Sequence, residues 1–357
     1  MSDPSNMFSG TKEVDERFRF DEGALAAYLK ENVEGYSGDL VVRQFKGGQS
    51  NPTYALRAGG REFVLRRKPP GKLLPSAHAV DREYKVLTAL GAHTDVPVAK
   101  TWCLCEDEDV IGTIFYVMDL VEGRVIWDQS LAHMDRSERG AYYDAMNDVI
   151  ARLHSVDYKA VGLEDFGRPG NYVLRQVSRW SKQYKLSETD KIPEMDRLME
   201  WLPANVPESD STTVVHGDYR LDNLMFHPTE PRIVAVLDWE ISTLGDPLAD
   251  FAYHVMSWRL PPALFRGIGG LDLAAMGIPD EDAYVSAYCK RTGRTGIDNW
   301  DYYLAYNMFR IAAILQGIAG RVRDGTAASD HAKEQVARIR PLAECAWVQA
   351  EKVMKAG

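Results

Sequence analysis

The chain has 357 residues, of which 45% are hydrophobic and 26% charged, so it is large and apolar enough for two folded lobes and is not intrinsically disordered. Its formal net charge is −10 and neither half is basic, which argues against nucleic acid as a partner. The four cysteines form no C-x-x-C pair, and a disulfide framework is not expected in a chain of this length.

The sequence shows no sign of a signal peptide or a membrane-spanning segment. The N-terminal residues are polar and acidic, and the most apolar helical stretch, 302–319, contains Arg310 and Gln316. A signal peptide needs an apolar core, and a membrane span needs about 20 predominantly apolar residues. We therefore predict a cytoplasmic protein without a membrane partner.

The first third of the chain reads mainly as strands. The polar residues 1–19 are predicted to be a mobile leader, followed by a short helix at 22–32. Short apolar and β-branched runs come next, and one helix, beginning at Ser76 and ended by Gly91, is inserted after the third of them. Residues 1–119 are thus predicted to form a lobe with a five-stranded antiparallel sheet. The predicted strands are 39–45, 53–57, 61–67, 99–105 and 113–118.

The rest of the chain, residues 120–357, is predicted to form a larger and mainly helical lobe. A hinge at 119–123 would join it to the first lobe. A β-rich lobe followed by a helical lobe is typical of an α+β protein. The predicted helices are 137–154, 171–185, 190–202, 247–258, 280–291, 299–321 and 331–354.

The motif that carries most chemistry lies between residues 214 and 240. It contains His216-Gly217-Asp218 with Asn223 five residues after the aspartate, and then an apolar run that ends at Asp238-Trp239-Glu240. Protein kinases use H-R-D-x-x-x-x-N followed by D-F-G for phosphoryl transfer. By the same spacing, Asp218 is the candidate base for an attacking hydroxyl, and Asn223 and Asp238 are the candidate ligands of Mg²⁺.

Simpler roles exist for these residues. Asp218 alone could be a turn or cap residue, and Asp238 an ordinary carboxylate at the end of a strand. The complete pattern of residue types and spacing favours the catalytic interpretation. His216 is included as a candidate catalytic residue, although packing beneath the loop is favoured, since the kinase template gives it no chemical step. For Glu240, contact with metal or substrate and simple solvation stay open.

Residues expected to contact ATP lie on the first strands. Gly47, Gly48 and Ser50 follow the first strand, where backbone N–H groups of a glycine turn would approach phosphates. A bare Gly-Gly is more often a hairpin turn, so its position carries this prediction. On the third strand, Val64 is the candidate roof of the adenine site and Arg66, two residues later, the candidate phosphate-binding cation.

Arg66 departs from the kinase template, which has lysine at this position. Arginine keeps the charge but is not interchangeable with lysine, and Lys46 or Lys68 could share the role. A solvated basic edge is the alternative interpretation of this strand. Glu83 on the following helix is the candidate partner of the cation, with Asp81 as its competitor. Near the hinge, main-chain groups around Met118 and Leu120 are predicted to contact adenine.

The motifs HGDYRLDN at 216–223, LDWE at 237–240 and GDPLADFAY at 245–253 resemble those of the aminoglycoside phosphotransferase and choline kinase superfamily. They look most like the kinase domain that is fused to certain acyl-CoA dehydrogenases in animals. The resemblance implies a protein-kinase-like two-lobe fold, the cofactors ATP and Mg²⁺, and a small-molecule hydroxyl acceptor. It also implies that Asp250 supports the catalytic loop, and association with an acyl-CoA dehydrogenase rests on this analogy alone.

The acceptor is the least determined part of the prediction. Residues 298–321 contain only two acidic residues, Asp298 and Asp301, whereas a polycationic aminoglycoside would call for clustered carboxylates. Arg310 and Arg321 on the same segment favour an acceptor that carries an anion. The leading hypothesis is therefore a hydroxyacyl-CoA or a related hydroxy acid. The alternatives are an aminoglycoside phosphotransferase and a nucleotide-binding pseudokinase or scaffold.

Overall fold

The structure is a computed structural model that describes residues 10–46, 51–70, 79–209, 211–325 and 330–356. The predicted glycine turn with Gly47, Gly48 and Ser50, and the helix cap predicted at Ser76, lie outside these residues. Among the described helices, none is both long and apolar enough to cross a bilayer.

The chain divides into two compact units that alternate along the sequence. The first unit consists of Met1–Trp127, Tyr158–Phe166 and Leu221–Ser242. The second consists of Asp128–Asp157, Gly167–Arg220 and Thr243–Gly357. The segment with Asn223 and Asp238 therefore packs with the N-terminal strands, whereas Asp218 belongs to the second unit. The lobe boundaries at 1–119 and 120–357 stay a prediction.

A six-stranded antiparallel sheet forms the centre of the first unit. The strand order is β1-β2-β3-β4-β6-β5. β3 and β4 form a hairpin in which Ala58 pairs with Arg61, and Gly59 and Gly60 between them both adopt positive φ, as their lack of a side chain allows. The strands are β1 Thr11–Lys12, β2 Val41–Phe45, β3 Thr53–Ala58, β4 Arg61–Arg67, β5 Thr101–Cys105 and β6 Phe115–Asp119.

Two predictions for the N-terminal part were wrong. The sheet has six strands rather than five, because β1 lies in the supposed mobile leader and pairs with β2. The same leader contains a short 3-10 helix, Glu16–Phe18, whose end is fixed to the sheet: the Phe18 carbonyl accepts hydrogen bonds from Arg67 Nη2 at 2.8 Å and Tyr54 Oη at 3.1 Å. A two-residue strand has no periodicity, so the sequence could not reveal these long-range contacts.

The remaining elements of the first unit cover and extend this sheet. Helix α1 packs Leu25 and Leu29 into a core shared with Phe63 and Phe115, both of which are fully buried. A second, three-stranded sheet has the order β10-β9-β7. The bounds are α1 Glu22–Asn32, α2 Val80–His93, β7 Arg124–Val125, β9 Leu224–Phe226 and β10 Ile233–Val236, with a 3-10 turn at Leu221–Asn223.

The second unit is mainly helical, as the periodicity predicts. Its longest helix, α9, buries residues around its whole circumference, as expected of a helix at the centre of a unit. The single helix predicted at 331–354 is divided into α10 and α11. The helices are α3 Arg136–His154, α4 Tyr172–Ser187, α5 Pro193–Ala204, α6 Pro247–Val255, α7 Leu273–Met276, α8 Glu281–Arg291, α9 Trp300–Arg323, α10 Asp330–Ala337 and α11 Ile339–Ala356; β8 Thr213–Val215 pairs with β11 Thr243–Gly245, and a 3-10 turn spans Met256–Arg259.

Candidate active site

Arg66 and Glu83 form a buried ion pair in the first unit. Arg66 Nε lies 2.7 Å from Glu83 Oε2, and the two side chains are 13% and 2% exposed. Burial alone would lower the pKa of Arg66, but the Glu83 carboxylate, helped by other acidic groups, raises it above the ordinary arginine value. Arg66 is therefore a permanently charged group, and the predicted cation and its predicted partner are brought together.

Glu83 is also held by two neutral side chains. Its Oε1 accepts a hydrogen bond from Asn51 Nδ2 at 2.8 Å, and its Oε2 accepts one from the Tyr116 hydroxyl at 3.1 Å. Burial raises the pKa of Glu83, while the positive charge of Arg66 opposes that rise. Since the three partners come from three different segments of the unit, the carboxylate is fixed in one place.

Lys68 and Asp81, the alternatives to Arg66 and Glu83, form an ion pair with each other. Lys68 Nζ lies 3.7 Å from Asp81 Oδ1, and both side chains are more exposed than the Arg66–Glu83 pair. Asp81 is two residues before Glu83 on α2, about 200° around its axis, and its side chain is 42% exposed, so it does not take the place of Glu83 in the interior. Lys46 is exposed at the end of β2, where its backbone N–H donates to Gly10.

The predicted adenine-site residues lie on paired strands. Val64 is 8% exposed and its backbone pairs with Met118 on β6, while Arg66 pairs with Tyr116 two residues along the same ladder. Leu120 follows β6, and its backbone N–H points to the Glu62 carbonyl at 3.5 Å. Val64 and Arg66 are two residues apart on β4 and therefore share a face of the sheet.

Asn223 and Asp238 are brought close to each other by their backbones. The Leu237 N–H donates to the Asn223 carbonyl at 2.8 Å, so the residue before Asp238 is fixed to Asn223. Asp238 has a φ of 62°, in the left-handed region that few residues other than glycine adopt. Such backbone conformations occur at functional sites, where they aim a side chain. Asp238 Oδ1 lies 3.5 Å from Arg66 Nη2, and Glu240 Oε2 lies 3.8 Å from the same nitrogen.

The oxygen donors of Asp238 and Asn223 are of a kind that could hold magnesium. Within the described residues, no three His, Cys, Asp or Glu side chains cluster as a metal site. Magnesium is usually held by one or two carboxylates together with waters and substrate phosphates. The carboxylate of Asp238, 40% exposed beside the charged Arg66, and the amide oxygen of Asn223 supply ligands of this kind.

The carboxylate of Asp218 is oriented by two side chains of the second unit. The Tyr253 hydroxyl donates to Asp218 Oδ1, and Arg220 Nη2 lies 3.3 Å from Asp218 Oδ2. Tyr253 is buried, and burial together with the negative charge of Asp218 raises the pKa of its hydroxyl. The hydroxyl therefore keeps its proton and acts as a hydrogen-bond donor. The Asp218 side chain stays 20% exposed, which leaves the carboxylate accessible to a ligand.

Asp250 supports the loop that carries Asp218. Its two carboxylate oxygens accept hydrogen bonds from the backbone N–H groups of His216 and Gly217, each at 2.8 Å. Burial would raise the pKa of Asp250, but the bond from His154 and the other donors outweigh it and lower the pKa. His216 is fully buried, and its Nδ1 accepts from the Asp218 N–H at 3.2 Å. The structure therefore places His216 beneath the loop.

We expect Asp250→Asn to lower the free energy of unfolding by about 1–3 kcal/mol at pH 7, since the amide group leaves one buried backbone N–H without an acceptor. Because the native pKa of Asp250 is lowered, its stabilising effect is complete above the unfolded pKa of about 3.9 and is lost as the pH falls through the native value. Urea unfolding at several pH values should show the difference between wild type and variant shrinking below about pH 4.

Asp280→Asn is the matched control. Asp280 caps α8 by accepting from the Ala283 N–H and is exposed, and asparagine caps helices equally well. This variant should unfold like the wild type. An Asp250→Asn protein that was as stable as the control would contradict the support role.

Several contacts at the site were not predicted. Tyr253 is three residues after Asp250, so the helical spacing could have placed it on the same face. Arg310 is 8% exposed and its Nη2 donates to the Gly217 carbonyl at 2.8 Å. One nitrogen of its guanidinium is therefore used to hold the loop, and the anionic acceptor inferred from Arg310 and Arg321 stays a prediction. Nothing in the sequence indicated that Asn51 and Tyr116 would donate hydrogen bonds to Glu83.

The chain matches a known family model and resembles part of longer proteins. Residues 41–294 match the model of the phosphotransferase enzyme family. Acyl-CoA dehydrogenase family member 10 of Mus musculus is 46% identical over 345 residues, which cover 96% of this chain and 32% of the relative. Family member 11 of the same species is 40% identical over 98% of this chain and 46% of the relative. The chain thus spans less than half the length of these relatives.

Solved structures support the same grouping. A protein from Ralstonia eutropha JMP134, provisionally named an aminoglycoside phosphotransferase, is 58% identical with a TM-score of 0.88, covering 94% of this chain and 99% of its own. Aminoglycoside phosphotransferase APH(4)-Ia, solved with ADP and hygromycin B, is 16% identical with a TM-score of 0.57. The match covers 90% of this chain and 98% of that protein. The latter shows likeness of fold alone. The predicted α+β fold of this superfamily is confirmed.

Proposed function

Because the chain belongs to the phosphotransferase enzyme family and is a small-molecule phosphotransferase, we propose that it uses ATP and magnesium to phosphorylate a hydroxyl group. In this reaction the acceptor oxygen forms a bond to the γ-phosphorus while the bond from phosphorus to the bridging oxygen of ADP breaks. The hydroxyl proton passes to Asp218. The observation that carries the proposal is the carboxylate of Asp218, which Tyr253 and Arg220 orient and which remains partly exposed.

Each remaining residue has a separate task. Arg66 supplies a fixed positive charge for phosphate oxygens, and Glu83 keeps it in place. Asn223 and Asp238 would hold magnesium, which when bound neutralises negative charge on the phosphates. The backbones of Asn223 and Asp218 are only five residues apart in the chain, so one short loop carries both the base and a metal ligand. Solved relatives by fold bind ADP and AMP-PNP, in agreement with ATP as donor.

We expect Arg66→Ala to raise the KM for ATP by about tenfold or more, since hydrogen bonds to charged groups contribute roughly 1.5–3 kcal/mol. Lys68→Ala is the control, because Lys68 is paired with Asp81 outside the buried cluster. Arg66→Lys keeps the charge without the planar fork and should give an intermediate KM. Steady-state kinetics at saturating acceptor measure all three. An ATP KM raised in Lys68→Ala but not in Arg66→Ala would transfer the role to Lys68.

The acceptor is proposed to be a hydroxy acid, free or as its CoA thioester. The relatives that match almost the whole chain carry the name acyl-CoA dehydrogenase, and this kinase-like region forms part of those longer proteins. An aminoglycoside is the second candidate, because of the name of the Ralstonia eutropha protein. Both acceptors offer a hydroxyl to the same base, so they differ in charge rather than in reaction.

The test is transfer of labelled γ-phosphate from ATP to a panel of acceptors. The panel holds aminoglycosides, choline, homoserine, and hydroxy acids both free and as CoA thioesters, each with wild type and with Asp218→Asn. A labelled product from wild type alone would support the proposal and identify the acceptor class. Magnesium-dependent ATP binding with neither product nor Asp218-dependent hydrolysis of ATP would instead support a pseudokinase.

A further inference from the structure

A basic cavity of about 430 Å³ lies between α4 and α9 of the second unit. Its wall includes Arg179 and Lys182 from α4, Arg321 and Arg323 from α9, and Asp324 just after α9. A volume of this size is within the range of small-molecule sites in proteins. The cavity is built from the second unit alone, the same unit that carries Asp218.

The wall is strongly positive. Of the five charged side chains, four are cationic, and the one carboxylate, Asp324, is neutralised by Arg323, whose Nε lies 2.8 Å from its Oδ1. The lining side chains therefore include three more cations than carboxylates, on a chain whose formal net charge is −10. Such a concentration of one sign attracts ligands of the opposite sign.

Small residues of α9 shape the cavity. A Cβ atom added at Gly320 would lie 2.9 Å from the Ser187 Cβ, so only glycine lets α4 and α9 come this close. Gly317, one turn earlier, also lines the wall. The Leu186 side chain is 74% exposed and adds an apolar surface at the rim. The site thus offers cations for a charged group and one apolar face.

Helix α9 connects this cavity with the catalytic loop. Arg310 on α9 donates to the Gly217 carbonyl, beside Asp218. At 1.5 Å per residue, Gly317 and Arg321 lie roughly 10 and 16 Å further along the helix. An acceptor whose hydroxyl lies near Asp218 and whose other end lies in the cavity would therefore extend over roughly this distance.

We propose that the cavity between α4 and α9 binds the anionic group, a phosphate or carboxylate, of the acceptor whose hydroxyl is phosphorylated. This rests on the proposed function and adds the charge of the substrate to it. Arginine binds such groups through two parallel hydrogen bonds, and lysine adds a point charge. A polycationic aminoglycoside is disfavoured at the same wall, because like charges repel.

The first test is binding of inorganic pyrophosphate, measured by calorimetry in magnesium-free buffer. Wild type is compared with Arg179→Ala/Lys182→Ala and with Lys185→Ala, which removes a charge from the same helix outside the cavity wall. We expect a site that is weakened about tenfold or more in the double variant and unchanged in the control. No binding to wild type, or equal binding by the double variant, would overturn the anion site. This readout needs no catalysis, so it stands even where phosphoryl transfer fails.

The second test links the cavity to the acceptor. A hydroxy acid and its uncharged amide are compared as acceptors of labelled phosphate. In the double variant we expect the acceptor KM of the acid to rise about tenfold or more, with kcat and the KM for ATP unchanged. Equal use of acid and amide by wild type would refute the assignment to the acceptor.

Discussion

Replacing Asp218 by asparagine is expected to reduce kcat by about 10²–10⁴-fold, the usual contribution of a positioned general base. Asparagine is nearly isosteric and keeps an oxygen for the Tyr253 hydroxyl, but it cannot accept the proton of the acceptor. Nucleotide binding should be unchanged, because the loss falls on the transition state rather than on the ground state. Single-turnover kinetics with labelled ATP, together with AMP-PNP titration, separate these two effects.

Tyr253→Phe is the matched variant for this prediction. It keeps the base and removes one hydrogen bond to it, so its kcat should fall less than that of Asp218→Asn. Equal turnover by Asp218→Asn and wild type would remove Asp218 as the base.

The second large effect is expected for Asp238→Asn, which should abolish the magnesium dependence of nucleotide binding. Magnesium prefers charged oxygen ligands, and the variant leaves two neutral amides in place of one amide and one carboxylate. Asparagine adopts the left-handed backbone of residue 238 readily, so the φ of 62° is no obstacle to folding. AMP-PNP binding is titrated with magnesium and with a chelator, and wild type should bind more tightly only with the metal.

Glu240→Gln provides the comparison for the metal site. Glu240 shares Arg66 with Asp238, at 3.8 Å and 3.5 Å, but its backbone is two residues further along. A normal magnesium dependence in Glu240→Gln beside a lost one in Asp238→Asn would assign the metal to Asp238. The reverse result, with Asp238→Asn behaving like wild type, would contradict our assignment.

The sequence predicted the local features of the fold better than the long-range ones. The β3–β4 hairpin, α1 and the helices of the second unit follow from glycine pairs and from periodicity, and the structure contains them. The prediction of a mobile leader was wrong because Arg67 holds this segment in place. Arg67 is buried, and it donates hydrogen bonds to the carbonyls of Phe18 and Ile111 and to the Tyr54 hydroxyl. No window of sequence around residue 18 contains that information.

The candidate site shows the same division. The spacing of the motif singled out Asp218, Asn223 and Asp238, because roles in phosphoryl transfer require particular residue types at particular intervals. The tasks of Arg310 and Tyr253 could not be read in this way, since each depends on where a helix of the second unit meets the catalytic loop. The sequence shows that a residue is charged, but it does not show whether the side chain faces a ligand or a backbone carbonyl.

The position of Glu83 bears on how the enzyme is controlled. Protein kinases are commonly switched by displacing the helix that carries the corresponding glutamate. Here that helix is held through Glu83 by Arg66, Asn51 and Tyr116. Moving it outward would separate a buried carboxylate from a buried cation, which costs about 3–5 kcal/mol. We therefore expect α2 to resist the kind of displacement that switches protein kinases.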